Sequence, residues 1–408
     1  MKIEMRPATL SGLAWAPPSK SMGHRMLICA GLASGTSVVR GISDSEDMNA
    51  TLDLLSLMGA TYQKVEDVVT IQGIDPRSVA VGEGVLLNCR ECGSTLRFFI
   101  PLCLLSGHPI TLTGSPRLMA RPLGVYEDLC REQGLDFEQD TTQNTLTVQG
   151  ILSGGEMRVR GDVSSQFITG LLFALPLCPQ DSILHIIPPL ESRPYIAMTL
   201  AAMAKFGVSA TWMDAYTLAI RGGQTYSPAS VTVEGDYSNA AFFHGLEILG
   251  HHVDVAGLWS DSLQGDKVYH AFYAQLRGGS PTLDISQCPD LGPVLMALGG
   301  ALHGVTLTGT RRLRIKESDR GVAMAEELAK FGVAVDVAED SIVVHSGGLR
   351  PPQEVLDGHN DHRIVMALCT IMTLTGGILD GAEAVRKSLP DYFSMLRDLG
   401  AEVNILET

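Results

Sequence analysis

The sequence has little of what would place it in a membrane, outside the cell or on nucleic acid. Only 8 of its 408 residues are cysteine, and they are scattered from Cys29 to Cys369. A chain of this length builds enough core without disulfides, and scattered thiols in a cell interior stay reduced. Cys89 and Cys92 form one C-x-x-C, but no second C-x-x-C exists to complete a zinc set, so structural thiols and no metal are expected. Long apolar runs are missing. Met1 to Trp15 lacks the apolar stretch of a signal peptide, and Phe167 to Cys178 is too short and too broken by Gly and Pro to span a bilayer. Low-complexity tracts are also missing, which excludes long disorder as an expectation. Positive charge is scarce: 30 Lys and Arg stand against 45 Asp and Glu, for a net charge of −15. That balance argues against nucleic acid as a partner. The default reading is a cytoplasmic enzyme with no membrane partner, long enough for two domains. Against an acidic background, any cluster of Lys and Arg suggests a small anionic ligand.

What the chain does have is a repeat of about seventy residues. A Gly-bounded β segment recurs as Gly35-Thr-Ser-Val-Val-Arg-Gly41, Gly107-His-Pro-Ile-Thr-Leu-Thr-Gly114, Gly304-Val-Thr-Leu-Thr-Gly309 and Gly376-Gly-Ile-Leu-Asp-Gly381. A helical pattern closed by Gly follows, as in Met203-Ala-Lys-Phe-Gly207 and Glu326-Glu-Leu-Ala-Lys-Phe-Gly332. Alternating strand pattern comes next, as in Ser341-Ile-Val-Val-His345. Further starts near 180 and 251, the latter irregular, give six α/β units, hence two domains of three. A symmetric scaffold accounts for most of these residues.

Five groups of segments depart from scaffold needs. Pro17-Pro-Ser-Lys-Ser-Met-Gly-His-Arg25 puts Lys20 and Arg25 near a helix start, a place that favours acids unless an anion binds there. Glu91-Cys-Gly-Ser-Thr-Leu-Arg97 is a Gly-Ser-Thr turn before an apolar helix, without the pattern of a nucleotide P-loop. Pro116-Arg-Leu-Met-Ala-Arg-Pro122 adds two arginines between prolines. Asp162-Val-Ser-Ser-Gln-Phe167 and Glu191-Ser-Arg-Pro-Tyr195 offer hydroxyls and an amide, of which ordinary N-capping explains one Ser in each. The fifth group is Asp290, Arg314-Ile-Lys-Glu-Ser-Asp-Arg320, Asn360-Asp-His-Arg363 and Lys387-Ser-Leu-Pro-Asp-Tyr392. Lys316, Glu317 and Arg320 fall at helical spacing, with Lys316 and Arg320 on one face. Cations, hydroxyls and carboxylates at helix starts in both halves suggest a cleft for a multiply charged anion.

Ser19-Lys-Ser-x-x-x-Arg25, Ser164-Ser-Gln166, Pro194-Tyr195, Lys316-Glu-Ser-Asp-Arg320, Asn360-Asp-His-Arg363 and Lys387-x-x-Pro-Asp-Tyr-Phe393, in this order, resemble the motifs of the 5-enolpyruvylshikimate-3-phosphate synthase family. The resemblance covers essentially the whole chain. It implies the two-domain enolpyruvyl transferase fold, an inside-out α/β barrel with three βαβαββ units around buried helices in each domain. The domains would be 16–227, and 1–15 with 228–408, the active site lying in the cleft between them. It implies transfer of the enolpyruvyl group of phosphoenolpyruvate to the 5-hydroxyl of shikimate 3-phosphate, without cofactor or metal, by a cytoplasmic monomer. Shikimate 3-phosphate would meet Lys20, Ser21, Arg25, Ser164, Ser165, Gln166, Ser192, Tyr195, Asp290 and Lys316. Phosphoenolpyruvate would meet Lys20, Gly93, Arg121, Gln166, Glu317, Arg320, Arg363 and Lys387, with Arg97 and His362 nearby. Asp290 and Glu317 would transfer protons, and Lys20 could move one as well. Three positions depart from the family pattern: Glu91 where Asn is common, Phe98 where Pro is common, and Arg312 where Asn is common. In this family glyphosate competes with phosphoenolpyruvate, and the charge of Glu91 implies weaker inhibition here.

Two rivals are weaker. UDP-N-acetylglucosamine enolpyruvyl transferases share the fold and chemistry but carry a reactive Cys near this chain's Arg117 to Arg121, and no Cys occurs between Cys103 and Cys130. A non-catalytic repeat scaffold predicts scattered loss of charged site residues, and nearly all are present.

Overall fold

The six β segments that open the repeat become strands: Thr36–Arg40, Ile110–Thr113, Ser182–Ile187, His252–Ala256, Val305–Thr308 and Gly377–Asp380. Their alternating pattern buries one face; in Val305–Thr308, Val305 and Leu307 point inward. The helices that follow end as the sequence implies, with Gly207 at φ 79° and Gly332 at φ 83° in the left-handed region that stops a helix.

The computed structural model describes residues 1–406 apart from 80, 81 and 83. It holds two compact units, a central one of Pro18–Val233 and a flanking one of Met1–Pro17 with Glu234–Thr408. The chain stays in the central unit beyond 227 because Ser230–Thr232 pairs in parallel with Thr36–Arg40, Val231 opposite Val39.

Among the described residues, five of the six sheets are four-stranded and of one kind. In the central unit Leu86–Asn88 lies parallel to Ile110–Thr113, and Thr145–Gln149 and Asp136–Asp140 add antiparallel. Gly155–Arg160 repeats this with Ser182–Ile187, Thr217–Ile220 and Ala210–Trp212. In the flanking unit Thr282–Asp284 does so with Val305–Thr308, Ser341–Val344 and Val335–Val337. The N-terminal strand Lys2–Met5 fills the corresponding place between Gly377–Asp380 and Val403–Leu406. The irregular unit near 251 is a parallel pair, His252–Ala256 with Ser11–Trp15. This mixed α/β architecture of repeated units is the fold class read from the sequence.

Six helices, one per unit, are buried nearly all round: α1 Lys20–Gly31, α2 Gly93–Cys103 and α3 Ser165–Ala174 in the central unit, and α4 Tyr237–Ile248, α5 Gly292–Ala301 and α6 His362–Thr375 in the flanking unit. Among the described residues no helix is long and apolar enough to cross a membrane. Close approach of the core helices depends on missing side chains. A Cβ on Gly170 of α3 would lie 2.3 Å from Tyr126 Oη and 2.5 Å from Arg97 O. Tyr126 Oη sits 2.8 Å from Arg97 O and 3.0 Å from Phe167 O, so it ties α2 to α3 at that spot. Gly170→Ala should therefore cost about 2 kcal/mol or more by overpacking, read as a lower denaturant midpoint. A midpoint equal to wild type would show that α2 and α3 can separate freely.

Candidate active site

Five of the six core helices begin at or beside residues singled out in the sequence; α4, which starts after Asp236, does not. Ser19 Oγ accepts from the Met22 amide at 3.3 Å, Cys92 Sγ from Thr95 at 3.4 Å and Ser164 Oγ from Gln166 at 3.3 Å. Asp236 accepts from Asn239 at 2.8 Å and Asp361 from Arg363 at 2.9 Å. Leu291 precedes α5 without a side-chain cap, after a 3₁₀ turn that carries Asp290. None of the six has an acid in its first turn. In a chain of net charge −15, the starts of α1, α2 and α3 have neutral caps and no acid in the first turn, which suits anionic ligands, whereas α4 and α6 are capped by aspartate.

In the central unit, two groups of expected residues come together. Gly93, Arg97, Arg121 and Gln166 form one. Arg97 Nη1 donates to Gln166 Oε1 at 2.7 Å, and Gln166 Nε2 donates to Ser94 Oγ at 3.0 Å. A Cβ on Gly93 would lie 2.7 Å from Arg121 Nη1, so a side chain there would push this guanidinium away from α2. Ser21, Arg25 and Tyr195 form the other. Arg25, 2% exposed, donates to Ser21 O at 2.6 Å, Tyr195 O at 3.1 Å, Thr199 Oγ1 at 2.9 Å and Thr169 Oγ1 at 3.4 Å. All these partners are neutral oxygens, so its charge is not cancelled locally. Burial pushes the Arg25 guanidinium down to about 10. Lys20 stands beside the helix Glu46–Leu57, 2.8 Å from Asp47 Oδ2. Ser165 and Ser192 are buried, and Ser192 has a left-handed backbone at φ 55° with no capping hydrogen bond, contrary to the capping role expected of one Ser there.

In the flanking unit, one guanidinium gathers the carboxylates. Arg320, 1% exposed, lies 2.8 Å from Asp361 Oδ2, 2.9 Å from Asp290 Oδ1 and 2.8 Å from Glu317 Oε2. Asp290 also meets Lys316 at 3.2 Å and Arg363 at 3.3 Å. Burial alone would lower the Arg320 guanidinium, but Asp361, Glu317 and Asp290 hold it above its ordinary value. Burial alone would raise Asp361, but Arg320 holds its carboxyl below the usual range. Asp266, which accepts from Ser238 Oγ, is pushed up to about 6 by burial and then by Asp290. His362 is buried beside Asp361, and Lys387 Nζ donates to Asn360 O at 2.6 Å.

The helical spacing read for Lys316, Glu317 and Arg320 does not hold. The helix starts only at Arg320, capped by Asp319 on the Val322 amide at 3.2 Å, and Lys316 to Ser318 form a bend before it. The bend lets Glu317 turn back onto Arg320. Of the departures from the family pattern, Phe98 is buried edge-on to Phe173 with Arg25 over its face, and Arg312 donates to Ser286 O. Glu91 is half-buried. The sequence reading missed Asp47, Thr199 and Asp361 as partners of site residues. Asp47 reads as an ordinary acid in the first turn of Glu46–Leu57, and only Asp361 lay in a motif already quoted.

The turn that leads into α6 is shaped by a buried carboxylate. Glu327 accepts from both Lys330 Nζ (2.9 Å) and the Asp357 amide (2.9 Å), and lies 3.0 Å from His359 Nε2. His359 and Asn360 are left-handed, at φ 48° and 51°. The hydrogen bond to Glu327 raises His359 above the ordinary histidine value, with Asp357 and Glu326 adding to it. Burial alone would raise Glu327, but His359, Lys330 and the Asp357 amide hold it low. The His359 contribution to stability is therefore full below about pH 6.5 and is lost as pH rises through its raised folded value. The Glu327 contribution is present above about pH 4.3 and is lost as pH falls through its lowered value. The stability gap between wild type and His359→Gln should shrink as pH rises from about 6 to about 9. A gap constant over that range would show that His359 is not charged in the fold.

A profile of the EPSP synthase (3-phosphoshikimate 1-carboxyvinyltransferase) family matches residues 5–396. The chain is 39% identical to a 3-phosphoshikimate 1-carboxyvinyltransferase of Clostridium kluyveri, over 98% of each chain. It is 36% identical to that of Clostridium novyi, again over 98% of each. Its fold is similar to EPSP synthase from Acinetobacter baumannii, with a TM-score of 0.80, 20% identity and full coverage of both chains. It is also similar to the enolpyruvyl transferase NikO from Streptomyces tendae, with a TM-score of 0.79, 14% identity, and coverage of 99% and 98% of the two chains. On the extent and identity of these matches, the chain belongs to the EPSP synthase (3-phosphoshikimate 1-carboxyvinyltransferase) family.

Proposed function

We propose that this chain transfers the enolpyruvyl group of phosphoenolpyruvate to the 5-hydroxyl of shikimate 3-phosphate and releases phosphate, as a transferase of the shikimate pathway that supplies aromatic amino acid synthesis. The observation that carries this reading is the pair of carboxylates, Asp290 and Glu317, clamped by one buried guanidinium among Lys316 and Arg363. Addition of the hydroxyl to C2 needs a base for its proton and an acid for the methylene carbon, and elimination of phosphate reverses these transfers. Asp290 and Glu317 supply them. Arg320, bonded to both, sets their spacing.

The substrates bring two phosphates and two carboxylates, whose repulsion fixed cations must offset. Arg97 and Arg121 provide planar, bidentate pairing beside Gly93, and Lys20 a compact charge. The carboxylates that hold Lys20, Lys316 and Arg363 keep these cations placed until substrate anions share them. Shikimate 3-phosphate takes Lys20, Ser21, Arg25, Ser164, Ser165, Gln166, Ser192, Tyr195, Asp290 and Lys316. Phosphoenolpyruvate takes Lys20, Gly93, Arg121, Gln166, Glu317, Arg320, Arg363 and Lys387, with Arg97 and His362 nearby. In this proposal the chain works as a cytoplasmic monomer.

The deciding assay is phosphate release from phosphoenolpyruvate with shikimate 3-phosphate, run against UDP-N-acetylglucosamine. Turnover is expected only with the first; turnover with the second alone would overturn the assignment. Lys20→Met should lower kcat/KM about a hundredfold or more, roughly 2.7 kcal/mol of transition-state stabilisation, and activity within about threefold of wild type would remove Lys20 from the site. Asp290→Asn should lower kcat far more than affinity, whereas lost binding at normal kcat would leave Asp290 a binding group only.

A further inference from the structure

Cys92 reads in the sequence as an inert structural thiol, because its C-x-x-C has no second pair. The fold brings it two other donors. His24 Nε2 lies 3.7 Å from Cys92 Sγ, and a carboxylate oxygen of Asp47 lies within 4.8 Å of both. All three residues are buried. Among the described residues no other set of three His, Cys, Asp or Glu side chains converges in this way.

The geometry around His24 favours a metal ion. Its Nδ1 lies 2.8 Å from Thr51 Oγ1, which lies 2.8 Å from Thr95 Oγ1. We assign the Nδ1–H tautomer, with Nδ1–H donating to Thr51 and Thr51 to Thr95. That leaves the Nε2 lone pair facing Cys92, and an outer hydrogen bond of this kind is what orients an imidazole ligand. Tetrahedral zinc, with bonds of about 2.3 Å to sulfur and 2.0–2.1 Å to nitrogen, holds those two donors about 3.5 Å apart. Cys92 and His24 are within a few tenths of an ångström of that spacing already. Asp47 has to close by no more than about 1.4 Å, and to do so it must turn from Lys20, 2.8 Å away.

We propose that His24, Asp47 and Cys92 form an inhibitory site for a borderline-soft divalent metal ion of the zinc, cobalt and cadmium type, and that the metal and Lys20 compete for Asp47. The metal–sulfur bond forms as the thiol proton passes to solvent, and the Lys20 ammonium leaves Asp47 as the metal–oxygen bond forms. The bound form has three protein ligands and one position for water. Binding stands on these side chains alone; the inhibitory consequence rests on the role proposed above for Lys20.

Cobalt(II) titrated into the purified full chain reads the site directly. One ion per chain should bind, with the near-ultraviolet charge transfer of a thiolate–cobalt bond. Cys92→Ser keeps a small capping acceptor for the Thr95 amide and should lose that band. Lys20→Met removes the competitor and should bind cobalt about tenfold more tightly, equivalent to about 1.4 kcal/mol. Zinc should inhibit phosphate release by wild type, reversibly with chelator, and spare Cys92→Ser. No band in wild type, or a band that survives in Cys92→Ser, would overturn the site. Unchanged affinity in Lys20→Met would overturn the competition. A chain without enolpyruvyl transfer activity that still shows the band would contradict the function and leave the metal site standing.

Discussion

A guanidinium that is 1% exposed persists only if its N–H groups and its charge are met, and Arg320 meets three carboxylates at 2.8 to 2.9 Å. Breaking such a cluster by removing one partner leaves an uncompensated buried charge, which costs about 3–5 kcal/mol. The arrangement of the flanking half-site follows from it. Asp290 reaches Arg320 from the turn before α5, Asp361 from the cap of α6, and Glu317 from the bend before the helix Arg320–Lys330. Three separate elements are thus fixed by one side chain, with Lys316 and Arg363 drawn in by Asp290. Asp361 both caps α6 and holds Arg320, so the start of that helix and the position of the cation are set together.

The central half-site is organised differently. Arg25 is surrounded by neutral oxygens, so its positive charge is not cancelled there, and Arg97 donates to the Gln166 amide. In the function proposed above, the flanking unit brings proton carriers and the central unit brings anion binders. The repeat explains how one architecture serves both: every unit buries a helix, every buried helix presents an N-terminus, and the residue types placed there decide the chemistry.

Much of this was legible before the fold was known, because strands bounded by Gly and helices closed by Gly207 or Gly332 are local patterns with local causes. Polar motifs at the starts of α1, α2, α3 and α6 were legible for the same reason. Contacts between residues distant in sequence were not. Nothing in the first turn of Glu46–Leu57 marks Asp47 as the partner of Lys20. Nor does the C-x-x-C announce that Cys92 faces His24 across two helices. The Lys316-Glu-Ser-Asp-Arg320 segment misled by its period, since a spacing that fits one face of a helix also fits a bend that folds back on a cap.

The claim that the carboxylate cluster presets the flanking half-site is tested most directly at Asp361, which is placed to act through Arg320 and is assigned no substrate contact. Asp361→Asn keeps a good capping side chain for α6 but removes the charge that holds the guanidinium. Kinetic measurement with both substrates saturating, at a temperature where the variant is folded, should show kcat lowered about tenfold or more, roughly 1.4 kcal/mol, together with a lower melting temperature, because the buried guanidinium loses one counter-charge. A kcat within about threefold of wild type would mean that Arg320 and its carboxylates hold their places without Asp361, and would contradict the account.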